Sequence, residues 1–263
     1  MRISKAILFD LDDTLLVEWN SARQTFIETI SGLEPALDKE EFVSAIREEA
    51  RRLWYSLPTI EYCRRVGISS WEALWADFDG EDDHLKLLAD LAPEYRLNSW
   101  ANALLKFGIN DSVIAEELSN KFKSIRSTKH ILYPDTLECL EYCKSGHKLG
   151  LVTNGPPDIQ WKKIIGSKLK PYFHAIVISG EYGFAKPDRR LFFKLLDLLN
   201  CRAENALMVG DKLKTDILGA KEAGIKSVWL NRNLDEPDDR SLKPDYEISD
   251  LSQLYEILTQ VFQ

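Results

Sequence analysis

The stretch that decides the fold is Ala6 to Leu16, with the sequence AILFDLDDTLL. It opens with an uninterrupted apolar run, which is typical of a parallel strand buried on both faces. The run ends at three carboxylates, Asp10, Asp12 and Asp13. Open α/β sheets bind ligands at the carboxyl ends of their strands, and carboxylates crowded there repel each other unless a divalent cation lies between them. The stretch therefore predicts a buried strand that leads into a metal site.

The block that follows, from Val17 to Leu132, shows helical periodicity instead of strand patterns. One example is the segment Glu40 to Leu57, whose apolar residues recur at helical spacing and which is followed by Pro58. Other helices are predicted over Asn20–Ile30, Ser70–Phe78, Asp83–Leu91, Asn98–Phe107 and Asp111–Ile125. We therefore expect residues 17–132 to form an all-helical domain.

From Tyr133 onward, short apolar strands alternate with amphipathic helices. Strands are predicted over Leu149–Thr153, Ala175–Ser179, Ala206–Val209, Ser227–Leu230 and Tyr246–Ile248. This alternation predicts an α/β fold with a doubly wound parallel sheet. The expected division is a catalytic core of residues 1–16 and 133–263, with the helical domain inserted at 17–132.

Three later segments deliver polar groups to the edge of the sheet at which Asp10 is expected. These groups are Thr153, Asn154 and Gly155 after the second strand, Lys186 in the loop after the third, and Asp211 with Asp216 after the fourth. Side chains at the carboxyl ends of parallel strands share one crevice. Carboxylates, a hydroxyl with exposed backbone amides, and a lysine together suit phosphoryl transfer.

A phosphate monoester sets the roles expected of these groups. Its dianion repels an attacking carboxylate, so Mg²⁺ and Lys186 must neutralise its oxygens while Thr153 and the amides of Asn154 and Gly155 donate hydrogen bonds. Asp10 is then the natural nucleophile and would form an aspartyl phosphate. Asp12 can protonate the leaving alkoxide and later take a proton from water.

The metal shell expected from the sequence has three protein ligands. They are the carboxylate of Asp10, the backbone carbonyl of Asp12 and the carboxylate of Asp211. Asp216, five residues after Asp211 in the sequence, is expected to orient either Lys186 or a water on the metal.

Four motifs carry a family resemblance, namely AILFDLDDTL, LVTNG, GFAKPD and GDKLKTD. In order and spacing they resemble the motifs of the haloacid dehalogenase-like hydrolase superfamily, and the helical insertion resembles its C1 cap. The resemblance implies Asp10 as nucleophile, Asp12 as acid and base, Thr153 and Lys186 as phosphate ligands, and Asp211 as a metal ligand. Asp13 lies at a position that the family fills variously. The form of the second and fourth motifs looks most similar to N-acylneuraminate-9-phosphatase and pyrimidine 5'-nucleotidase-type enzymes.

Three other functions fit parts of this pattern. A signalling receiver phosphorylated on aspartate uses similar residues but carries its acceptor on a middle strand of the chain order. A 2-haloacid dehalogenase does not need an acid at the position of Asp12, because halide leaves without a proton. A phosphomutase differs only in whether water or a second hydroxyl reaches the aspartyl phosphate, and it stays open.

The amino-acid composition limits the classes of molecule that the chain is expected to bind. The formal net charge is −8, and residues 17–132 alone hold 20 acidic and 14 basic side chains. A polynucleotide or an anionic membrane surface is therefore disfavoured, since either needs clustered Lys and Arg. No apolar run is long enough to span a bilayer, and the opening residues do not resemble a signal peptide, so a cytoplasmic location is expected. The expected partner is a small phosphate monoester.

Overall fold

The structure is a computed structural model that describes residues 4–34, 36–237 and 241–262. Within these ranges the sheet has six strands in the order β3-β2-β1-β4-β5-β6, and every pairing of neighbours is parallel. The strands are β1 Ala6–Phe9, β2 Lys148–Thr153, β3 Ala175–Ile178, β4 Ala206–Gly210, β5 Lys226–Leu230 and β6 Tyr246–Ile248. The predicted α/β fold with a parallel sheet is confirmed.

Strand β1 lies at the centre of the sheet, with β2 on one side and β4 on the other. All four of its residues are buried, as the apolar run predicts. Successive strands are added outward from β1 in both directions, so the order of the strands reverses between β1 and β4. Ligands bind at such a reversal in doubly wound sheets. The residue after β1 is Asp10, which the fold therefore places at this position.

Helices flank the sheet and are joined to it by short loops. They are α6 Thr136–Lys144, α8 Ser179–Tyr182, α9 Arg189–Leu199, α10 Leu218–Glu222 and α11 Leu254–Val261. Helix α9 packs closely on β2 at Gly150, where an added Cβ would lie 2.9 Å from both Leu195 and Leu199. The glycine thus permits the helix to approach the strand, and the apolar face of α9 covers the sheet.

The helical insertion has its own hydrophobic core, built from α1 to α5. These helices are α1 Trp19–Ile30, α2 Lys39–Trp54, α3 Ile60–Val66, α4 Asp83–Leu105 and α5 Ser112–Arg126. Aspartates cap three of them: Asp38, Asp82 and Asp111 accept hydrogen bonds from amides in the first turns of α2, α4 and α5. Each such cap contributes about 1 kcal/mol.

Helix α4 differs from the prediction, which divides it into two helices near Pro93. The structure has one helix that continues through Pro93, although proline in a helix interior costs about 3 kcal/mol. Buried contacts of Leu88, Tyr95 and Trp100 in the core of the insertion offset that cost. The helix predicted over Ser70–Phe78 is reduced to one 3₁₀ turn, and α3 lies outside the predicted set.

The chain divides into two compact units. The core unit comprises Met1–Val17, Ile131–Asn154 and Ser167–Gln263, and the helical unit comprises Glu18–His130 and Gly155–Gly166. The largest difference from the predicted division is the segment Gly155–Gly166 with helix α7 Pro157–Gly166, which the sequence assigns to the core; the ends of the insertion differ by one or two residues. The outermost residues of the predicted core, 1–3 and 263, lie outside the described residues.

Contacts within the helical unit explain why α7 belongs to it. Ile159 packs in the core of that unit, and the ammonium of Lys163 lies 3.1 Å from a carboxylate oxygen of Glu18. The ammonium of Lys162 donates a 2.6 Å hydrogen bond to Asp77. Helix α7 follows β2 in sequence, but these three side chains contact residues of the insertion.

None of the helices among the described residues combines the length and the apolar character that crossing a membrane would require.

Candidate active site

Asp10 is fixed by the end of β1. Its backbone amide donates a 3.0 Å hydrogen bond to the carbonyl of Val209 on β4, so the pairing of the two strands continues through this residue. The side chain is almost completely buried, with 5% of the residue exposed. Asp10 therefore presents a carboxylate from a rigid backbone, which suits a group that must attack a substrate in one orientation.

The turn after Asp10 brings a hydroxyl back to the site. Asp13 adopts a left-handed backbone conformation with φ 60, and its amide donates to the carbonyl of Leu16 at 2.8 Å. The turn places the Thr14 hydroxyl 3.3 Å from Asp10 Oδ2 and 3.5 Å from Asp211 Oδ1. Thr14 lies outside the predicted set of site residues. The signal for it was the threonine in DLDDT, four residues after Asp10, which is adjacent to the acids and able to donate.

Lys186 contributes the buried cation. Its ammonium donates hydrogen bonds to Asp10 Oδ1 and, at 2.7 Å, to Asp216 Oδ1. Its backbone is held by Asn154, whose side chain accepts from the Lys186 amide at 2.9 Å and donates to the Lys186 carbonyl at 3.0 Å. The predicted substrate ligand Asn154 thus fixes the loop that carries the lysine.

Two further carboxylates come from the segment after β4. Asp216 is fully buried in a short π-helical turn, Leu213–Ile217, and accepts a 3.0 Å hydrogen bond from the amide of Lys212. A Cβ on Gly210 would lie 2.4 Å from the Asp216 carboxyl carbon, so only glycine leaves room there. The backbone carbonyl of Asp211 accepts from the Trp229 indole at 2.8 Å, which anchors the residue to β5.

The carboxylates of Asp10, Asp211 and Asp216 form a group that can hold a cation. One oxygen from each lies within 4.8 Å of the others. Carboxylate oxygens in such a cluster suit a hard divalent cation such as Mg²⁺. Asp216 therefore joins the group of carboxylates, although the sequence assigns it a supporting role.

The electrostatics of the group show an excess of negative charge. Burial raises the pKa of Asp10 to about 6; Lys186 opposes this shift and Asp216 adds to it. Burial also raises the pKa of Asp211 well above its usual range. For Lys186, burial alone would lower the pKa, but Asp10 and Asp216 outweigh burial and the pKa lies above its ordinary value. Lys186 is the buried cation of the group, and the ammonium of the exposed Lys212 lies 3.9 Å from Asp211 and opposes the rise in its pKa. These two lysines do not neutralise three carboxylates.

The remaining predicted residues have separate positions. Asp12 is partly exposed in the turn after β1 and forms a bridge with Leu16, and its carboxylate is outside the three-carboxylate group. Thr153 is the buried last residue of β2; because Leu151 pairs with Phe9, Thr153 extends past the end of β1 at the edge where Asp10 lies.

Gly155 groups with the helical unit. Its φ of 139 is rarely adopted by residues with a side chain, and a Cβ there would lie 2.6 Å from Gln160 and 3.0 Å from Glu72. The backbone conformation therefore favours glycine at this position.

Comparison with known proteins agrees with this description. The sequence profile of the haloacid dehalogenase-like hydrolases matches residues 4–224. A phosphoserine phosphatase of Thermus thermophilus is 34% identical over 252 residues, which cover 95% of this chain and 98% of that protein. The N-acylneuraminate-9-phosphatase of Mus musculus is 29% identical over 260 residues, which cover 98% and 94%. The solved structure of YfnB from Bacillus subtilis, a hydrolase bound to magnesium, has the same fold, with a TM-score of 0.68, 24% identity and coverage of 98% and 99%.

A doubly wound parallel sheet with acidic residues after its first strand defines an α/β protein whose ligand site is expected at the carboxyl ends of its strands. The chain belongs to the haloacid dehalogenase-like hydrolases. The resemblance carried by the four motifs is confirmed, and the non-enzymatic alternative, a signalling receiver, is wrong.

Proposed function

We propose that this chain is a Mg²⁺-dependent phosphatase that hydrolyses a small organic phosphate monoester, such as a sugar phosphate or a nucleoside monophosphate. The observation that carries the proposal is the buried contact between Lys186 and both Asp10 and Asp216, next to the carboxylate of Asp211. A nucleophile, a cation for phosphate oxygens and a set of metal ligands stand together in the core unit.

The residues divide the reaction between them. Asp10 attacks phosphorus and forms an aspartyl phosphate, while Lys186 and Thr153 stabilise the charge on the phosphoryl oxygens. Asp12 gives its proton to the leaving alkoxide and then removes a proton from the water that breaks the intermediate. Asp10, the backbone carbonyl of Asp12 and Asp211 would hold Mg²⁺, with Asp216 beside them, and the ion would neutralise phosphate charge when bound.

A phosphate ester is favoured over a haloacid because of Asp12. Halide leaves without a proton, whereas an alkoxide needs one, and the partly exposed Asp12 supplies an acid two residues after the nucleophile. Two relatives named above are phosphatases, one of phosphoserine and one of N-acylneuraminate 9-phosphate. The names of these relatives support a small phosphate monoester as the substrate of this chain. Because the two relatives act on different monoesters, the substrate must be identified by experiment.

We assign the choice among monoesters to the helical insertion, residues 17–132, and catalysis to residues 1–16 and 133–263. Asp10, Lys186 and Thr153 address only the phosphoryl group, which all monoesters share. Discrimination between leaving groups must then come from other residues. The acidic balance of the insertion, 20 acidic to 14 basic side chains, disfavours polyanionic leaving groups and thus nucleic acid. We propose that the enzyme acts on this substrate in the cytoplasm.

A substrate panel tests the proposal. Phosphoserine, N-acylneuraminate 9-phosphate, sugar phosphates, nucleoside monophosphates and a haloacid are assayed with Mg²⁺ and with EDTA, and free phosphate and halide are measured. We expect phosphate release from one class of monoester, abolished by EDTA. Isomerised monoester without free phosphate would indicate a phosphomutase, and halide release would indicate a dehalogenase.

A further inference from the structure

An arginine outside the four motifs is held by hydrogen bonds beside the turn that follows Asp10. Arg232 follows β5, and only 14% of its side chain is exposed. Its guanidinium donates two hydrogen bonds to the carboxylate of Asp135, at 2.9 Å from Nη1 and 3.0 Å from Nη2. It also lies 3.8 Å from the centre of the Tyr133 ring. A two-bonded ion pair stacked on an aromatic ring fixes the orientation of the guanidinium.

The partner of Arg232 is fixed as well. Asp135 Oδ2 accepts a 2.9 Å hydrogen bond from the amide of Leu251, and its side chain is 13% exposed. Arg232 and Asp135 thus join the segment after β5, the start of α6 and the start of the last helical region. An ion pair held at both ends loses less side-chain entropy than a free surface pair.

One donor of this pair reaches the candidate active site. Arg232 Nη2 donates a 3.0 Å hydrogen bond to the backbone carbonyl of Thr14. The hydroxyl of the same threonine lies 3.3 Å from Asp10 Oδ2 and 3.5 Å from Asp211 Oδ1. Arg232 therefore holds the backbone of a residue whose hydroxyl lies beside both carboxylates.

The backbone near this contact is paired both within the turn and with the segment before α6. Within the turn, the amides of Leu15 and Leu16 donate to the Leu11 carbonyl at 2.9 and 3.0 Å. The amide of Tyr133 donates to the Leu15 carbonyl at 3.0 Å, and the amide of Val17 donates to the Ile131 carbonyl at 2.8 Å. These bonds hold the chain after Thr14, while Arg232 holds Thr14 itself. Without Arg232, the Thr14 carbonyl would lose a charged donor at the point where the turn meets the carboxylates.

We propose that Arg232, together with Asp135, is a positioning residue for the divalent cation: it holds Thr14 so that Asp10 and Asp211 keep the separation at which both can bind the ion. This inference rests on the cation site of the proposed function and adds a residue to it. Groups that orient metal ligands from behind commonly change metal affinity when they are replaced.

The test compares cation binding in Arg232→Met and Arg232→Lys with the wild type. Calorimetric titration with Mg²⁺, and with Mn²⁺ as a second ion, measures affinity without any substrate. We expect Arg232→Met to bind Mg²⁺ about tenfold more weakly. Arg232→Lys, which keeps the charge but not the planar pair of donors, should lie between that variant and the wild type.

The matched control is Arg190→Met. Arg190 forms the same kind of ion pair, with Asp188, and lies 4.3 Å from the ring centre of Phe184, but it is 63% exposed on α9. Its replacement should leave Mg²⁺ affinity unchanged. Thermal melting of all variants separates loss of the fold from loss of the ion.

Each outcome decides the proposal. If the Arg232 variants melt lower but bind Mg²⁺ as the wild type does, Arg232 only stabilises the fold and the proposal is overturned. Absence of cation binding in the wild type overturns it too. If Arg232→Met does not fold, Arg232→Lys carries the comparison. A wild type that binds Mg²⁺ but hydrolyses no monoester would refute the proposed function alone, and the ranking of the variants would still judge Arg232.

Discussion

Two buried groups of charged residues, one in each unit, differ in their balance. The Asp10 cluster of the core unit consists of Asp10, Lys186, Asp211 and Asp216, with three carboxylates and one buried ammonium. A second ammonium, that of the exposed Lys212, lies 3.9 Å from Asp211 and leaves the carboxylates in excess. The Glu18 cluster of the helical unit consists of Glu18, Glu72, Arg126 and Lys163, with two carboxylates and two cations. Side chains of the Glu18 cluster are at most 8% exposed.

The difference in charge balance distinguishes a candidate cation-binding site from a group of ion pairs that stabilises the fold. In the Glu18 cluster each charge has an opposite partner, and Glu72 also accepts a 2.6 Å hydrogen bond from the Ser69 hydroxyl. In such a group the buried charges neutralise one another, and the group stabilises the folded unit. In the Asp10 cluster the carboxylates outnumber the cations, and burial raises the pKa of Asp10 to about 6 although Lys186 opposes the rise. A divalent cation would relieve this excess.

Removing a carboxylate from the Asp10 cluster should abolish activity. We expect Asp10→Asn to lower kcat at least about a thousandfold, because an amide is a very poor nucleophile. At pH 4, where the carboxyl group of Asp10 is protonated in the folded protein, the free energy of unfolding should change little, since asparagine resembles the neutral acid and Lys186 keeps Asp216 as a partner. Steady-state phosphate release and urea unfolding measure the two effects.

Asp13→Asn is the matched control for this change. Asp13 is in the same turn, and its left-handed backbone suits asparagine. Activity of Asp13→Asn near the wild-type level is expected. Substantial turnover by purified Asp10→Asn would contradict a covalent role for Asp10.

Removing a carboxylate from the Glu18 cluster should instead cost stability. Glu18→Gln leaves Arg126 and Lys163 buried with less compensating charge, and breaking a buried ion pair costs about 3 kcal/mol in the free energy of unfolding. Urea unfolding measures the loss. The exposed pair of Glu61 and Arg64 supplies the control, because Glu61→Gln should have little effect. Equal stabilities of the two variants would remove the distinction between the clusters.

Because the pKa of Asp10 is shifted, the stability that this residue contributes to the folded protein depends on pH. Because the folded pKa, about 6, lies above the ordinary value of 3.8, Asp10 adds stability that is present below pH 3.8 and is lost as pH rises through 6. In EDTA, the free energy of unfolding of the wild type minus that of Asp10→Asn should fall by about 2 to 3 kcal/mol between pH 4 and 7. Saturating Mg²⁺ should flatten this trend, since the ion favours the ionised carboxylate. A difference that is constant with pH in EDTA would mean that burial does not raise this pKa.

A smaller effect is expected at Gly210. A Cβ there would lie 2.4 to 2.6 Å from atoms of Asp216, so Gly210→Ala must displace that carboxylate. We expect about a tenfold loss of kcat/KM, as for other changes behind metal ligands. Gly146→Ala is the control, because an added Cβ at Gly146 meets nothing within 4 Å. If both variants retain wild-type kcat/KM, the position of Asp216 is not critical.

Much of the core could be predicted from the sequence because its signals are local. The apolar run before Asp10 predicts a strand buried on both faces, and the βα alternation after Tyr133 predicts a parallel sheet. Polar residues at strand ends then converge by topology alone. Lys186 and Asp211 could be found in this way without any knowledge of contacts.

The rest depends on contacts between residues far apart in the chain. Helix α7 follows a core strand, yet the match of Lys163 with Glu18 assigns it to the helical unit. Arg232 reaches the carbonyl of Thr14 across 218 positions of sequence, and a backbone carbonyl leaves no mark in the sequence. The entry of Asp216 into the carboxylate group depends on the space left by Gly210.

The most direct test of the account is chemical trapping of the intermediate on Asp10. The enzyme is mixed with Mg²⁺ and a hydrolysed monoester and quenched in acid, and borohydride then reduces any acyl phosphate. Peptide mass spectrometry identifies the residue that has become homoserine. We expect homoserine at position 10 in the wild type and its absence when EDTA is present or the substrate is omitted. Rapid turnover with unmodified Asp10, or modification of another carboxylate instead, would contradict the account.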